Sequence, residues 1–403
     1  MQTKVVTGVL IVLGLILIGF ALLKSGGGMA AAPECDPFLS KGMLEEGLTL
    51  GTDFILANQR LEGNFEYEYD WISKTYTDDD SSVRQAGALW GLALIYEYTH
   101  EERLIAPLEK SFAFFEKYSK TRADDARYIL YPGEEEGSLG TVALAALAHI
   151  EYLNARENEL SETELARHKK LLDGYLRFLT SAVTEDTLFH ASYDEDGLSY
   201  GDASSYYDGE ALLALVKAAR YRGYEEWENQ IKELADVGYA ENIKAALKEN
   251  PDSDVTKGYY QWSSMAFHEL SESGWKKTEK YGDYTITLAD WMIDTHKVLE
   301  RTRNTAYAFE GIVSAYAIAK KKGDEYHIQK FRCVIEAGIF NLMTWQVGAS
   351  YQNQFIKTQF KSDAKAKGGI QNSAQEAPLR IDVTQHQVHA VTLALEHFDF
   401  GVE

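Results

Sequence analysis

Residues able to move protons, clamp anions and stack on rings recur at six places along the chain. They are Arg84-Gln85; Glu134-Glu135-Glu136 with Ser138; Tyr206-Tyr207-Asp208-Gly209-Glu210; Tyr259-Tyr260-Gln261-Trp262; Asn304 with Tyr307 and Glu310; and Arg380-Ile381-Asp382 with Gln385-His386. Such a mixture suits a sugar. Aromatic faces pack on pyranose C–H surfaces, amides and carboxylates bind hydroxyls, and a guanidinium grips a carboxylate with two parallel bonds. Cleaving a glycosidic bond needs a carboxylic acid on the leaving oxygen and a second carboxylate, which in inverting enzymes activates a water. Asp208, Glu210, Glu310 and Asp382 are the candidates for that pair. Glu310 lies in the apolar run AYAFEGIVSAYA, so burial should raise its pKa and suit it to be the acid. Asp208, expected at a helix start, should stay ionised as a base. The expected binding residues are Arg84, Gln85, Glu136, Tyr207, Tyr260, Gln261, Trp262, Asn304, Tyr307, Arg380, Gln385 and His386.

Each cluster also has a plain structural reading. Asp and Ser at helix starts are commonly caps, and Glu in a first turn complements the helix dipole. Arg380 and Asp382 could simply pair with each other. Capping does not account for Arg84 or Arg380, because a cation opposes the dipole at that end. Nor does it account for aromatic and amide groups opening a helix at Tyr259-Tyr260-Gln261-Trp262.

The elements that must position these groups are short apolar helices beginning near Ala86, Thr141, Gly209, Tyr260, Tyr307 and Gln387. They are apolar nearly all the way round, and a helix apolar on every face must be buried on every face. Longer segments with one apolar stripe alternate with them, at about Lys41–Gln59, Glu102–Lys120, Thr163–Ala182, Tyr224–Lys248, Thr285–Leu299 and Glu325–Trp345. The alternation predicts an all-α fold, an (α/α)6 toroid of six helical hairpins with the inner helices starting at one mouth. Alternation at Phe65, Tyr67 and Tyr69, and again in LFHASYD, adds strand-like rim loops. The acidic turn Asp194-Glu195-Asp196-Gly197 lacks EF-hand spacing and reads as an ordinary turn, and no Cys/His spacing suggests zinc. No metal or cofactor is expected.

On these features the chain resembles the six-hairpin (α/α)-toroid carbohydrate-active proteins, among them glycoside hydrolases, polysaccharide lyases and sugar epimerases. The resemblance covers most of residues 41–397. It rests on the hairpin count, on Tyr-Tyr-Asp-Gly-Glu (206–210) and Tyr-Gln-Trp (260–262) opening inner helices, and on Phe-Glu-Gly (309–311) within one. It implies a carbohydrate substrate and a site at the mouth, and it transfers no catalytic residue. Glycoside hydrolysis is the leading expectation. The two arginines keep a uronate lyase or epimerase open, with Tyr259, Tyr260 or His386 handling the proton, and a binding toroid without chemistry is the other alternative.

Residues Val5–Leu23 form an uncharged apolar run flanked by Lys4 and Lys24, about long enough to cross a bilayer. Residues 1–24 are therefore expected to be a membrane anchor or signal segment, 25–40 a tether containing Gly26-Gly27-Gly28, and 41–403 the toroid. Pro33 directly after Ala30-Ala31-Ala32 argues against cleavage there, so an uncleaved anchor with the globular part outside the cytoplasm is expected. A formal net charge of −22 repels nucleic acid. Cys35 and Cys333 are the only cysteines. They could pair in an oxidising compartment, or Cys333 could be a buried thiol.

Overall fold

Fifteen consecutive residues, Leu139–Leu153, are buried without a break, as a helix enclosed on all sides requires. In the computed structural model, which describes Cys35 and residues 39–400, this helix belongs to an inner ring. The chain alternates between an outer and an inner helix. It runs from α1 (Lys41–Ala57, outer) to α2 (Ser82–Thr99, inner), α3 (Ile105–Lys117, outer), α4 (Leu139–Arg156, inner), α5 (Glu162–Ser181, outer) and α6 (Ser205–Tyr221, inner). It continues through α7 (Glu228–Tyr239, outer, prolonged by a π turn at Ala240–Ala245 and by Ala246–Glu249), α8 (Asp254–Glu272, inner) and α9 (Glu279–Asp294, outer). Then come α10 (Ala306–Lys322, inner), α11 (Glu325–Met343, outer), the short α12 (Gln354–Gln359) and α13 (Ile381–His397, inner). Each inner helix packs on the next, and α13 closes back onto α2, so the ring has no open end. The first outer helix, α1, lies against α13. This is the (α/α)6 toroid.

The outer helices are half-covered, and α1, α5 and α11 carry side-chain caps. Ser40 accepts from the Met43 N–H at the start of α1, and Ser161 and Glu164 form a reciprocal capping box on α5. Among the inner helices only α8 has such a cap, Ser253, which accepts from the Val255 N–H. Ser81, Ser138 and Ser204 occupy the residue before α2, α4 and α6 without making a side-chain cap bond. Their first turns are left with polar groups to present elsewhere.

Three small sheets decorate the ring. β1 (Glu68–Asp70) pairs with β2 (Thr75–Tyr76) and with β8 (Pro378–Arg380), which ties the segment before α2 to the segment before α13. β3 (Ser119–Thr121) and β4 (Arg127–Ile129) form a hairpin. β5 (Gly137–Ser138), β6 (His190–Tyr193) and β7 (Ser199–Ala203) form the rim sheet expected from LFHASYD. In the β6–β7 turn Asp194 accepts the N–H groups of Asp196 and Leu198, and Gly197 has φ +76, so the acidic residues serve the turn itself.

Cys35 and Cys333 are bonded, joining the chain ahead of α1 to α11. The buried-thiol alternative for Cys333 is thereby corrected. The expected membrane segment and most of the tether lie outside the described residues; among the described ones no helix is long and apolar enough to cross a membrane.

Candidate functional site

All six inner helices, or the residues leading into them, line one cavity of about 560 Å³. That is within the ~300–1,000 Å³ of small-molecule sites. The inner helices α2, α6, α8 and α13 start at Ser82, Ser205, Asp254 and Ile381, ahead of their apolar segments, so most of their polar clusters lie within the helices, whereas Glu134–Ser138 precedes α4. Helical spacing then decides which members face inward. Tyr207 and Glu210, three apart on α6, both reach the cavity, while Asp208 between them does not. On α13, Asp382, Gln385 and His386 share the inward face.

Glu210 is the unusual group. It is 3% exposed, its Oε2 has no hydrogen-bond partner among the described residues, and burial drives its pKa well above the ordinary carboxylate value. Burial is the cause of that shift, so the site favours the neutral form of this carboxyl, which faces the cavity. It has room only because residue 140 is glycine: a Cβ there would come within 2.2 Å of Glu210 Oε2 and 2.7 Å of the Tyr207 ring.

Asp382 behaves oppositely. Burial disfavours its charge, but Arg380 outweighs it with Nε at 2.9 Å from Oδ1 and Nη2 on Oδ2. Arg84 adds its Nε at 3.1 Å from Oδ2, and the carboxyl is held below its ordinary range. Both guanidiniums lie over the Tyr67 ring, at 5.5 and 5.7 Å from its centroid, and Arg84 also donates to the Tyr67 hydroxyl. Tyr67 sits one residue before β1, so the small sheet fixes both arginines.

Behind His386 lies Glu310, wholly buried on α10. Burial again disfavours the charge, yet His386 and His389 outweigh it and hold Glu310 below its ordinary value. His386 Nδ1 stands 2.9 Å and His389 Nδ1 3.4 Å from Glu310 Oε1. Burial lowers the imidazole pKa of His386, and the Glu310 charge more than reverses this. Glu310 is therefore not the raised-pKa acid expected from its apolar run. It is an ionised partner for histidines one helix away, and the cavity meets His386 instead.

Asp208 also departs from expectation. It accepts the Phe189 N–H at 3.0 Å and the Asn242 amide at 2.9 Å, and burial raises its pKa to about 6. It binds the rim and α7 together and does not line the cavity. Gln85 holds the Phe65 backbone through its N–H and carbonyl; Glu136 bonds the exposed Tyr200; Tyr260 is buried and donates to the Ala308 carbonyl. These three are likewise outside the lining. Burial raises the Tyr259 and Tyr260 phenols well above their ordinary value, which leaves neither suited to take a proton.

Arg84, Tyr207, Gln261, Trp262, Asn304, Tyr307, Arg380, Gln385 and His386 all line the cavity with Glu210 and Asp382. Trp262 is backed by Trp90 at 5.5 Å between ring centroids, and Trp90 meets His389 edge-on at 4.7 Å. Ser204, Tyr206, Lys257 and Asn372 line the cavity without having been singled out as site residues. Tyr206 and Lys257 each share the inward side with a neighbour a turn away, a helical-spacing signal that was readable. Asn372, in a long irregular segment, gave none.

No protein-family model and no curated protein matches the sequence. Solved structures do match in fold. A sugar epimerase from a ruminal bacterium superposes with a TM-score of 0.62 at 12% identity, over 91% of this chain and 100% of the other. A D-mannose isomerase gives 0.61 at 13%, over 90% and 100%. An inactive variant of an alpha-1,6-mannanase of Salegentibacter sp., in complex with alpha-1,6-mannotetrose, gives 0.59 at 10%, over 89% and 99%. At such identities the likeness is one of fold, and the fold shared by these carbohydrate-active proteins is the (α/α)6 toroid.

Proposed function

We propose that this protein is a carbohydrate-active enzyme, anchored to a membrane by residues 1–24 with its toroid outside the cytoplasm, and that it cleaves a glycosidic bond. The observation that carries the reading is Glu210, a buried carboxyl with a raised pKa whose Oε2 has no partner among the described residues, sharing a cavity with Asp382, whose pKa is lowered. A neutral acid and a charged carboxylate in one cavity are the two groups glycoside hydrolysis requires. Glu210 protonates the leaving oxygen. Asp382, with a lone pair left on Oδ1 beside Arg380, orients the attacking water and stabilises positive charge on the ring. Trp262, Tyr207 and Tyr307 offer faces for the sugar, and Gln261, Asn304 and Gln385 offer hydrogen bonds. The toroid neighbours act on or bind saccharides, which supports the substrate class. The Cys35–Cys333 disulfide supports an oxidising location.

A second reading is favoured by one observation. His386 with Glu310 behind it is a carboxylate–histidine pair at the cavity wall, able to move a proton on a sugar carbon, as an epimerase or lyase needs. One experiment separates the readings. The protein is incubated in D2O with a panel of neutral and acidic polysaccharides. Reducing-end release, absorbance of an unsaturated product and deuterium incorporation are followed together. Hydrolysis gives reducing ends alone, elimination adds the absorbance, and epimerisation gives deuterium without cleavage. Silence in all three across the panel would sink the enzyme reading.

A further inference from the structure

The cavity carries a charge opposite to that of the chain around it. The protein has a formal net charge of −22, yet Arg84, Arg380 and Lys257 all line the cavity, beside a His386 already paired with Glu310. Asp382 is the single ionised carboxylate among the lining residues, and it is shared between two guanidiniums. Lys257 forms no ion pair among the described residues. Arg84 and Arg380 have further N–H groups with no protein partner among the described residues, since Asp382 and Tyr67 engage only part of each fork. The Nε2 of Gln385, a residue 2% exposed, is likewise unpartnered at the same wall. Ser81 and Ser204 line the cavity but leave the starts of α2 and α6 without a side-chain cap, so the positive ends of two helix dipoles point the same way. A cluster of cations this incompletely neutralised costs solvation and self-repulsion unless an anion completes it.

Resting on the carbohydrate reading, we propose that the substrate is an acidic saccharide whose sugar carboxylate is held by Arg84 and Arg380, with Lys257 at the adjoining position. A planar fork matches a carboxylate with two parallel bonds, and the fork's present partner, Asp382, is itself a carboxylate. The carboxylate enters beside Asp382 and uses the free N–H groups, while the ring packs on Trp262.

The test is calorimetric titration of the full chain in detergent, with binding as the readout. The probes are a galacturonate trisaccharide, a glucuronate trisaccharide, the same two compounds with their carboxylates reduced to alcohols, and a sulfated neutral trisaccharide. At least one uronate form should bind about tenfold or more tighter than its reduced form, as expected for hydrogen bonds to a charged group. Arg84→Gln should shrink the ratio of uronate to reduced-compound affinity to within about twofold, and Lys257→Gln should shrink it less. Equal affinity of uronate and reduced forms would overturn the proposal and leave the carbohydrate reading standing. Tighter binding of the sulfated compound would replace a carboxylate by a sulfate ester and overturn it as stated. Binding of no saccharide would remove the carbohydrate reading beneath it.

Discussion

His386 on α13 points Nδ1 at Glu310 Oε1 on α10 across 2.9 Å, although 76 residues separate them in sequence. The pair joins two adjacent inner helices and gives the cavity wall an imidazole whose charge depends on a carboxylate it hides. Glu310 is wholly buried, whereas His386 is partly open to the cavity. The histidine is thus the group a substrate meets, and Glu310 positions it and sets its charge.

Removing that carboxylate's charge should show directly on the imidazole. In Glu310→Gln, the His386 ring resonance should titrate at lower pH than in the parent, because the charge that raised it is gone. The stability effect has a defined window. Glu310 is depressed from 4.5, so its contribution is present above pH 4.5 and lost as pH falls through its folded value. His386 is raised from 6.5, so its contribution is full below pH 6.5 and lost as pH rises through its folded value. Thermal melts should therefore show the largest deficit of the variant between pH 4.5 and 6.5. An unchanged imidazole titration would contradict the pairing.

Glu210 should be expensive to catalysis and inexpensive to the fold. Glu210→Gln should lower kcat by ~10²-fold or more, the usual worth of a general acid. Its folded pKa is raised above 4.5, so the unfolded chain gives up this proton more readily and the parent loses stability as pH rises above 4.5. Glutamine removes that dependence. The variant should match the parent in thermal stability below pH 4.5 and gain on it progressively at higher pH. A variant that keeps full turnover would refute Glu210 as the acid.

Gly140 tests whether the acid's position matters as well as its presence. A methyl at this residue must displace Glu210 Oε2 or the Tyr207 ring. Gly140→Ala should cost about 1–3 kcal/mol in denaturant unfolding, as overpacking does, and should reduce turnover while the helical spectrum stays intact. Gly42→Ala is the control: nothing lies within 4 Å of a Cβ there, and on α1 it should be neutral or slightly stabilising.

The ring was readable because burial on all sides leaves a compositional mark. The run Leu139–Leu153 is broken by only three strongly polar residues, Thr141, His149 and Glu151, and Gly209–Val216 by Glu210 alone. Mouth location was readable too, since Arg84 and Arg380 stand where a cation opposes the helix dipole. Within a polar cluster, which members face the cavity was not readable before the helix start was known. The 206–210 cluster lies in the first turns of α6, so the 3.6-residue period sorts Tyr207 and Glu210 inward and Asp208 away. The Glu310 pairing could not be read, because its sign depends on histidines brought in from α13 by ring closure. Burial alone predicted a raised pKa, and the two neighbouring histidines reversed it.

Asp208 was expected to serve the reaction, and its contacts assign it to the scaffold. It accepts one bond from the Phe189 N–H and one from the Asn242 amide, so it fastens the rim segment before β6 and the end of α7 to the start of α6. Asp208→Ala leaves two buried donors without an acceptor, and about 1–3 kcal/mol should be lost for each such group. Asp208→Asn keeps one side-chain acceptor and should lose less. The pH dependence separates this from a catalytic role. Asp208 has its pKa raised from 3.8 to about 6, so the parent loses stability as pH rises between those values, and Asp208→Asn should flatten that slope. Assayed at a temperature where both are fully folded, Asp208→Asn should retain turnover within a few-fold of the parent. A loss of the size expected for Glu210→Gln would return Asp208 to the reaction, and would require the rim to move so that its carboxyl reaches the cavity.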